Sequence, residues 1–230
     1  MRHDSIQSKE VEKVVQLSAD FHFASPVYSV EMPKFLSDVN DISQKLLDDK
    51  KEAYGISEQH PVLMTDNFFD APEIAEFRNF VGQTSWNILH EQGYAMEGMS
   101  TMFSEMWTQE HYKHSLMEQH THRFGSQIVG FYFLKVPDPA PQAVFHDPRI
   151  AAMQGALHER NNKELTLAST AVTYDPKPGQ LIFTNSWLAH SFPKNLTDDP
   201  FRFVHFNLYA APDPYFNSSE GETCNQVEVV

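Results

Sequence analysis

Between Met117 and Leu134 the chain reads Met-Glu-Gln-His120-Thr-His122-Arg-Phe-Gly-Ser-Gln-Ile-Val-Gly-Phe-Tyr-Phe-Leu. A histidine pair spaced by one residue leads through a short turn into an apolar run. In an extended strand successive side chains alternate between faces, so His120 and His122 point the same way. Two imidazoles on one face can share a metal ion once a third ligand arrives from elsewhere. His190, in Phe183-Thr-Asn-Ser-Trp-Leu-Ala-His-Ser-Phe-Pro193, is the candidate for that third position. It stands 70 residues beyond His120, after a turn and strand, Lys177-Pro-Gly-Gln-Leu-Ile-Phe183, that can return it beside the pair. Arg202 follows 12 residues later at the start of an apolar strand. A guanidinium there is costly unless it meets an anion. The anion could be a ligand, or simply Asp198 or Asp199 in a loop salt bridge. His205 lies at opposite parity to Arg202 and is expected to point away from the site.

The elements that must position these groups change character along the chain. Residues 1–20 are polar and read as a loose arm. Phe21–Val30 reads as a first strand, with Pro26 placing it at an edge. Pro33 opens a helix with apolar positions Phe35, Leu36, Val39, Ile42, Leu46 and Leu47, and Gly55 stops it. A second helix follows Asp70, with the stripe Ile74, Phe77, Val81 and Ile88 and a stop at Gly93. From about residue 97 the period turns to two, with Met99, Thr101, Phe103, Glu105 and Trp107 on one face. Ser126–Val136, apolar on both faces, predicts a central strand. Ala143–His146, Leu165–Tyr174, Gln180–Thr184 and Arg202–Tyr209 predict further strands. Residues 150–163 read as an irregular or helical insertion, and the chain beyond Pro212-Asp-Pro214 as a polar tail. Two helices followed by seven or so strands predict an all-β barrel or sandwich flanked by helices, built as one domain over residues 1–230. Residues 21–95 would pack on a core formed by 97–210, with 211–230 trailing.

Composition narrows the function classes. With 31 acidic against 17 basic side chains the formal charge is −14, and no basic stripe interrupts it. Nucleic-acid binding is not expected. Cys224 is the single cysteine, so neither a disulfide framework nor a cysteine-type zinc site is expected. The absence of a long apolar run or an apolar leader makes a cytoplasmic location, away from membranes, the expectation. The 41% hydrophobic content and 18 phenylalanines suit a sizeable core.

The order of motifs resembles the Fe(II)- and 2-oxoglutarate-dependent oxygenases of the prolyl-hydroxylase-like branch. The matching segments are His120-Thr-His122, Phe131-Tyr-Phe-Leu134, Pro176-Lys-Pro-Gly179, Leu181-Ile-Phe183, His190 and Arg202. The chain is most similar to a group of bacterial and phage oxygenases that carry His-x-His-Pro in place of His-x-Asp. Asp147-Pro-Arg149 and Arg202-Phe-Val-His-Phe-Asn207 look like two further segments of that group. The similarity runs from about residue 100 to 210. It implies a double-stranded β-helix (jelly-roll, cupin-like) core with the helices outside. It also implies Fe(II) held by His120, His190 and, in place of the usual acid, His122, with Glu118 or Asp147 as alternative carboxylates. Arg202 would anchor the distal carboxylate of 2-oxoglutarate, with Tyr132 adding a hydrogen bond. The implied reaction is hydroxylation of a small molecule or peptide with release of succinate and CO2. A metal-binding module, or a three-histidine dioxygenase that does not use 2-oxoglutarate, is the alternative.

Overall fold

Proline and glycine punctuate the N-terminal third. In the computed structural model, which describes residues 18–20, 22–122, 125–149, 151, 155 and 157–216, both helices are entered through a 3-10 turn beginning at a proline, Pro33 and Pro72. The fixed φ of proline suits that position, and its missing N–H would have no helical partner there anyway. Helix α1 (Leu36–Tyr54) ends at Gly55, whose φ of 68° is open to a residue without a Cβ. Helix α2 (Ala75–Glu91) ends just before Gly93. The expected arm lies outside the described residues up to position 17, as does the expected tail from 217 onward, with Cys224. No helix among the described residues is long and apolar enough to cross a membrane.

The strands are β1 (Val27–Glu31), β2 (Val62–Met64), β3 (Met99–His111), β4 (Met117–His120), β5 (Ile128–Lys135), β6 (Ala143–His146), β7 (Ala171–Tyr174), β8 (Gln180–Asn185), β9 (His190–Phe192) and β10 (Phe201–Pro212). They form two antiparallel sheets. The larger has the order β1-β8-β5-β10-β3-β2 and the smaller β4-β9-β6-β7. This is the jelly-roll arrangement, with β5 central and β1 at an edge as expected. The stretch 165–170, expected in a strand, is largely exposed and joins no sheet; only Ala171–Tyr174 pairs, with β6. Two short strands, β2 and β9, carry too few residues for an alternating pattern to show.

Two apolar layers use opposite faces of the larger sheet. Tyr132, Leu134, Leu181, Phe183, Val204, Phe206 and Leu208 meet Phe35, Val39, Phe77, Val81 and Ile88 of the helices. Phe131, Phe133, Ile182, Phe201 and Phe203 meet Phe145, Leu188 and Phe192 across the barrel. The same alternation on β3 is broken once. The register shifts opposite Asn207/Leu208 and leaves Ser104 unpaired, a β-bulge. Phe103 therefore joins the helix layer while Trp107 stacks on His205 in the barrel, so the single face expected from Met99 to Trp107 is split.

At Gly130 both neighbouring strands, β8 and β10, approach β5 closely. A Cβ there would overlap the Phe206 ring and the Ile182 carbonyl. Gly130→Ala is expected to destabilise the protein by about 1–3 kcal/mol, read as a lower urea midpoint at unchanged slope.

Candidate metal centre

Strand register brings the histidines together. His120 at the end of β4 pairs directly with His190 at the start of β9, with ring centroids 4.5 Å apart. His122 lies just past β4, where its backbone N–H donates to the Ser186 carbonyl at 3.0 Å. Ser186 sits in the turn between β8 and β9, and its hydroxyl donates to the Ser126 carbonyl. The turn that returns His190 thus also holds the His122 backbone. A fourth histidine, His205, enters from β10. The nearest ligand atoms of His120, His122, His190 and His205 all lie within 4.8 Å of one another.

The hydrogen bonds leave lone pairs aimed inward. Nδ1 of His120 lies 2.8 Å from the Glu118 carbonyl and Nδ1 of His190 lies 3.0 Å from the Leu188 carbonyl. A carbonyl can only accept, so these nitrogens carry the protons and both Nε2 atoms are free to ligate. Nε2 of His122 stands 3.3 Å from Nε2 of His190. Two nitrogens bound to one ion at about 2.0–2.1 Å sit at most about 4.2 Å apart. The His122–His190 pair lies within that span, whereas the four ligand atoms together, spread over up to 4.8 Å, have to draw in to close on one ion.

Desolvation favours the neutral form of His122, His190 and His205. Burial, with the neighbouring His120 adding to it, lowers the pKa of His122 from 6.5 to about 4. Burial first, and then His120, lowers that of His190 to about 3. The fully buried His205 is pushed well below its ordinary value, again chiefly by burial. Neutral imidazole is the metal-binding form. The donor set, all nitrogen and borderline in softness, suits a first-row divalent ion.

The alternative carboxylates do not join the cluster. Glu118 is exposed, and the β4–β9 register shifts between Met117 and His120. Asp147 is chelated by Arg149, whose Nη2 and backbone N–H both reach it at 2.8–2.9 Å.

Two sequence expectations are corrected. Arg202 does not face the histidines. Its side chain, 1% exposed, lies between the larger sheet and α1. There it forms an ion pair with Glu110 of β3 and donates to Asn40 Oδ1 at 3.1 Å and Gln44 Oε1 at 2.8 Å. Neither Asp198 nor Asp199 is its partner; Asp198 pairs with Lys113. Tyr132 also points into the helix layer, and its hydroxyl donates to the Met32 carbonyl at 2.8 Å. His205, expected to point away, is the residue that points in. Parity separates positions 202 and 205 correctly but does not say which of them is inside. A signal was available in Asn207, two residues on, which shares the inward face and donates to Glu105 at 2.9 Å. Trp107 stacks on His205 at 4.5 Å, whereas Trp187, beside the site in sequence, is 47% exposed.

With this geometry in place, the chain can be compared with known proteins. Residues 105–207, from the middle of β3 to the middle of β10, match the family model described as "Putative 2OG-Fe(II) oxygenase". The match takes in 103 of the 230 residues, among them all four histidines of the cluster. No curated protein sequence matches the chain. Among solved structures the fold is similar to HygX from Streptomyces hygroscopicus with nickel and 2-oxoglutarate bound, at 11% identity and TM-score 0.50, over 84% of each chain. A prolyl-4-hydroxylase from Pseudomonas putida superposes at 10% identity and TM-score 0.51, over 80% of this chain and 92% of that one. The viral collagen prolyl hydroxylase of Paramecium bursaria Chlorella virus-1 does so at 8% identity and TM-score 0.51, over 79% and 94%.

The corrected role of Arg202 is structural and can be measured. Arg202→Leu strands a buried Glu110 and is expected to cost about 3–5 kcal/mol in urea unfolding, whereas replacing both partners by leucine should cost much less than the sum of the two single changes. Strict additivity in that double-mutant cycle would show the pair uncoupled.

His111, 4% exposed, stacks on Phe203 and has its pKa lowered by burial from 6.5 to about 4. Between those values the unfolded chain binds the proton and the folded one does not, so stability falls as pH drops from about 6.5 towards 4, by at most about 3 kcal/mol from this group. Relative to wild type, metal-free His111→Phe should lose less stability between pH 7 and 4.5. Parallel stability–pH curves for the two proteins would remove His111 as a source of the slope.

Proposed function

We propose that this chain is a ferrous-iron, 2-oxoglutarate-dependent dioxygenase that hydroxylates a small-molecule or peptide substrate in the cytoplasm. The single observation that supports it most is the set of inward-facing, proton-free histidine nitrogens at the end of a barrel whose sequence matches the oxygenase family model. When bound, iron and 2-oxoglutarate supply the oxidation of a C–H bond by dioxygen, coupled to decarboxylation of the keto acid to succinate and CO2.

The chain's own contributions are separable. His120, His122 and His190 would hold the ion. The Glu118 and Leu188 carbonyls orient two of those rings. Phe131 and Phe145 pack against His190 at 5.2 and 6.2 Å and exclude water from that side. His120 and His122 keep partial exposure and mark the side from which reactants reach the ion.

The metal fits these residues; the expected anchor for 2-oxoglutarate does not. Phe131, Phe133, Phe201 and Phe203 fill the barrel beyond the histidines. Among the described residues the one buried cation, Arg202, is engaged on the other face. The keto acid would therefore meet the ion from the His120–His122 side rather than extend through the barrel. Arg202→Leu protein that remains folded should then bind it as wild type does.

Anaerobic iron reconstitution followed by 2-oxoglutarate and air tests the reading without the primary substrate. Wild type is expected to take up stoichiometric iron and release succinate slowly, and His190→Ala to do neither. Iron uptake with no succinate, and no 2-oxoglutarate binding by anaerobic titration, would favour a histidine-ligated dioxygenase that works without the keto acid.

A further inference from the structure

Among the described residues His205 is the one buried side chain with two polar atoms left unsatisfied; Thr84 and Asn207 have one each. His205 is 1% exposed, and among the described residues neither Nδ1 nor Nε2 has a hydrogen-bond partner. A neutral imidazole offers one donor and one acceptor, and leaving a buried polar group unsatisfied costs about 1–3 kcal/mol. The ring is not loosely placed. Trp107 stacks on it at 4.5 Å and Phe131 packs on it at 4.7 Å, while the His122 ring centroid is 4.7 Å away. Its cross-strand partner Phe131 is also the ring that packs edge-on against His190. A rigidly held, dry imidazole with no partner, aimed at three others that also present free nitrogens, has one inexpensive resolution: a shared cation.

We propose that His205 is a fourth metal ligand, so that the ion is held by four nitrogens and links β10 of the larger sheet to β4 and β9 of the smaller one. The proposal rests on the reading of the cluster as a metal centre and changes its chemistry. A three-ligand face leaves three positions open on a six-coordinate ion, and a four-nitrogen set leaves two. A chelating keto acid would fill both, so binding of co-substrate and a further reactant together requires His205 to give way.

Metal-free protein titrated with Co(II) tests this without turnover. His205→Phe is the informative variant, since Phe resembles the neighbouring Phe131 and Phe203 and removes the two unsatisfied nitrogens. Its metal-free melting temperature should be no lower than that of wild type. Its Co(II) affinity should fall by about 10- to 100-fold or more, the loss that follows even from disturbing groups that merely orient ligands, and its visible absorption should change. A role confined to packing would move neither readout. Pulsed EPR of the Cu(II)-loaded wild type counts coordinated imidazoles without any substitution, and four are expected. Unchanged affinity and spectrum in His205→Phe, with three imidazoles by EPR and binding still lost in His120→Ala, would overturn the fourth ligand and leave the metal centre standing. Co(II) binding that is indifferent to His120→Ala and His190→Ala would remove both.

Discussion

The pleat of β10 governs this molecule. Phe201 to Leu208 are all buried, and with a period of two they divide between two different environments. Arg202, Val204, Phe206 and Leu208 serve the interface with the helices, and Phe201, Phe203, His205 and Asn207 line the barrel. A slip of one residue would put the guanidinium among the barrel phenylalanines and the imidazole under the helices. The β10–β3 register, held across the whole strand apart from one bulge, is therefore the condition for both the core and the site.

Arg202 and Glu110 add to that constraint from the outside. They are cross-strand partners on β10 and β3, and Asn40 and Gln44, one turn apart on α1, complete the guanidinium's hydrogen bonds. The Tyr112 hydroxyl donates to the same carboxylate. A buried pair of this kind is not by itself a strong source of stability, because desolvation offsets most of the attraction. Its effect is positional. A register slip would bury an unpaired charge, so the pair acts against the alternative pairing that would misplace His205.

The histidine cluster carries the opposite sign of energetics. Two of the four imidazoles are buried and two half-buried, and neither nitrogen of the His205 ring has a hydrogen-bond partner among the described residues. In the metal-free chain this arrangement costs free energy. A cation that binds only the folded form repays the cost through linkage, so metal and fold stabilise each other. Buried polar atoms without a partner, of which the helices have one at Thr84 Oγ1, are thus concentrated at His205 and Asn207 on the barrel face of β10.

Much of this was legible in the amino-acid sequence alone. Proline and glycine fixed the ends of both helices through backbone geometry that depends on single residues. The change of period after residue 97 marked the strands. The histidine spacing, with Gly179 turning the chain before His190, marked three members of the cluster. β2 and β9 escaped because three residues cannot display a period, and Leu165, Leu167 and the residues between look strand-like only until their exposure is known. The bulge at Ser104 was invisible because one unpaired residue alters register without altering composition. Sequence periodicity is relative: it placed Arg202 and His205 on opposite faces, but both faces of β10 are buried, so hydrophobicity could not orient the strand. Only the packing of helices against one side and of the smaller sheet against the other decided that the arginine lies outside the barrel and the histidine within it.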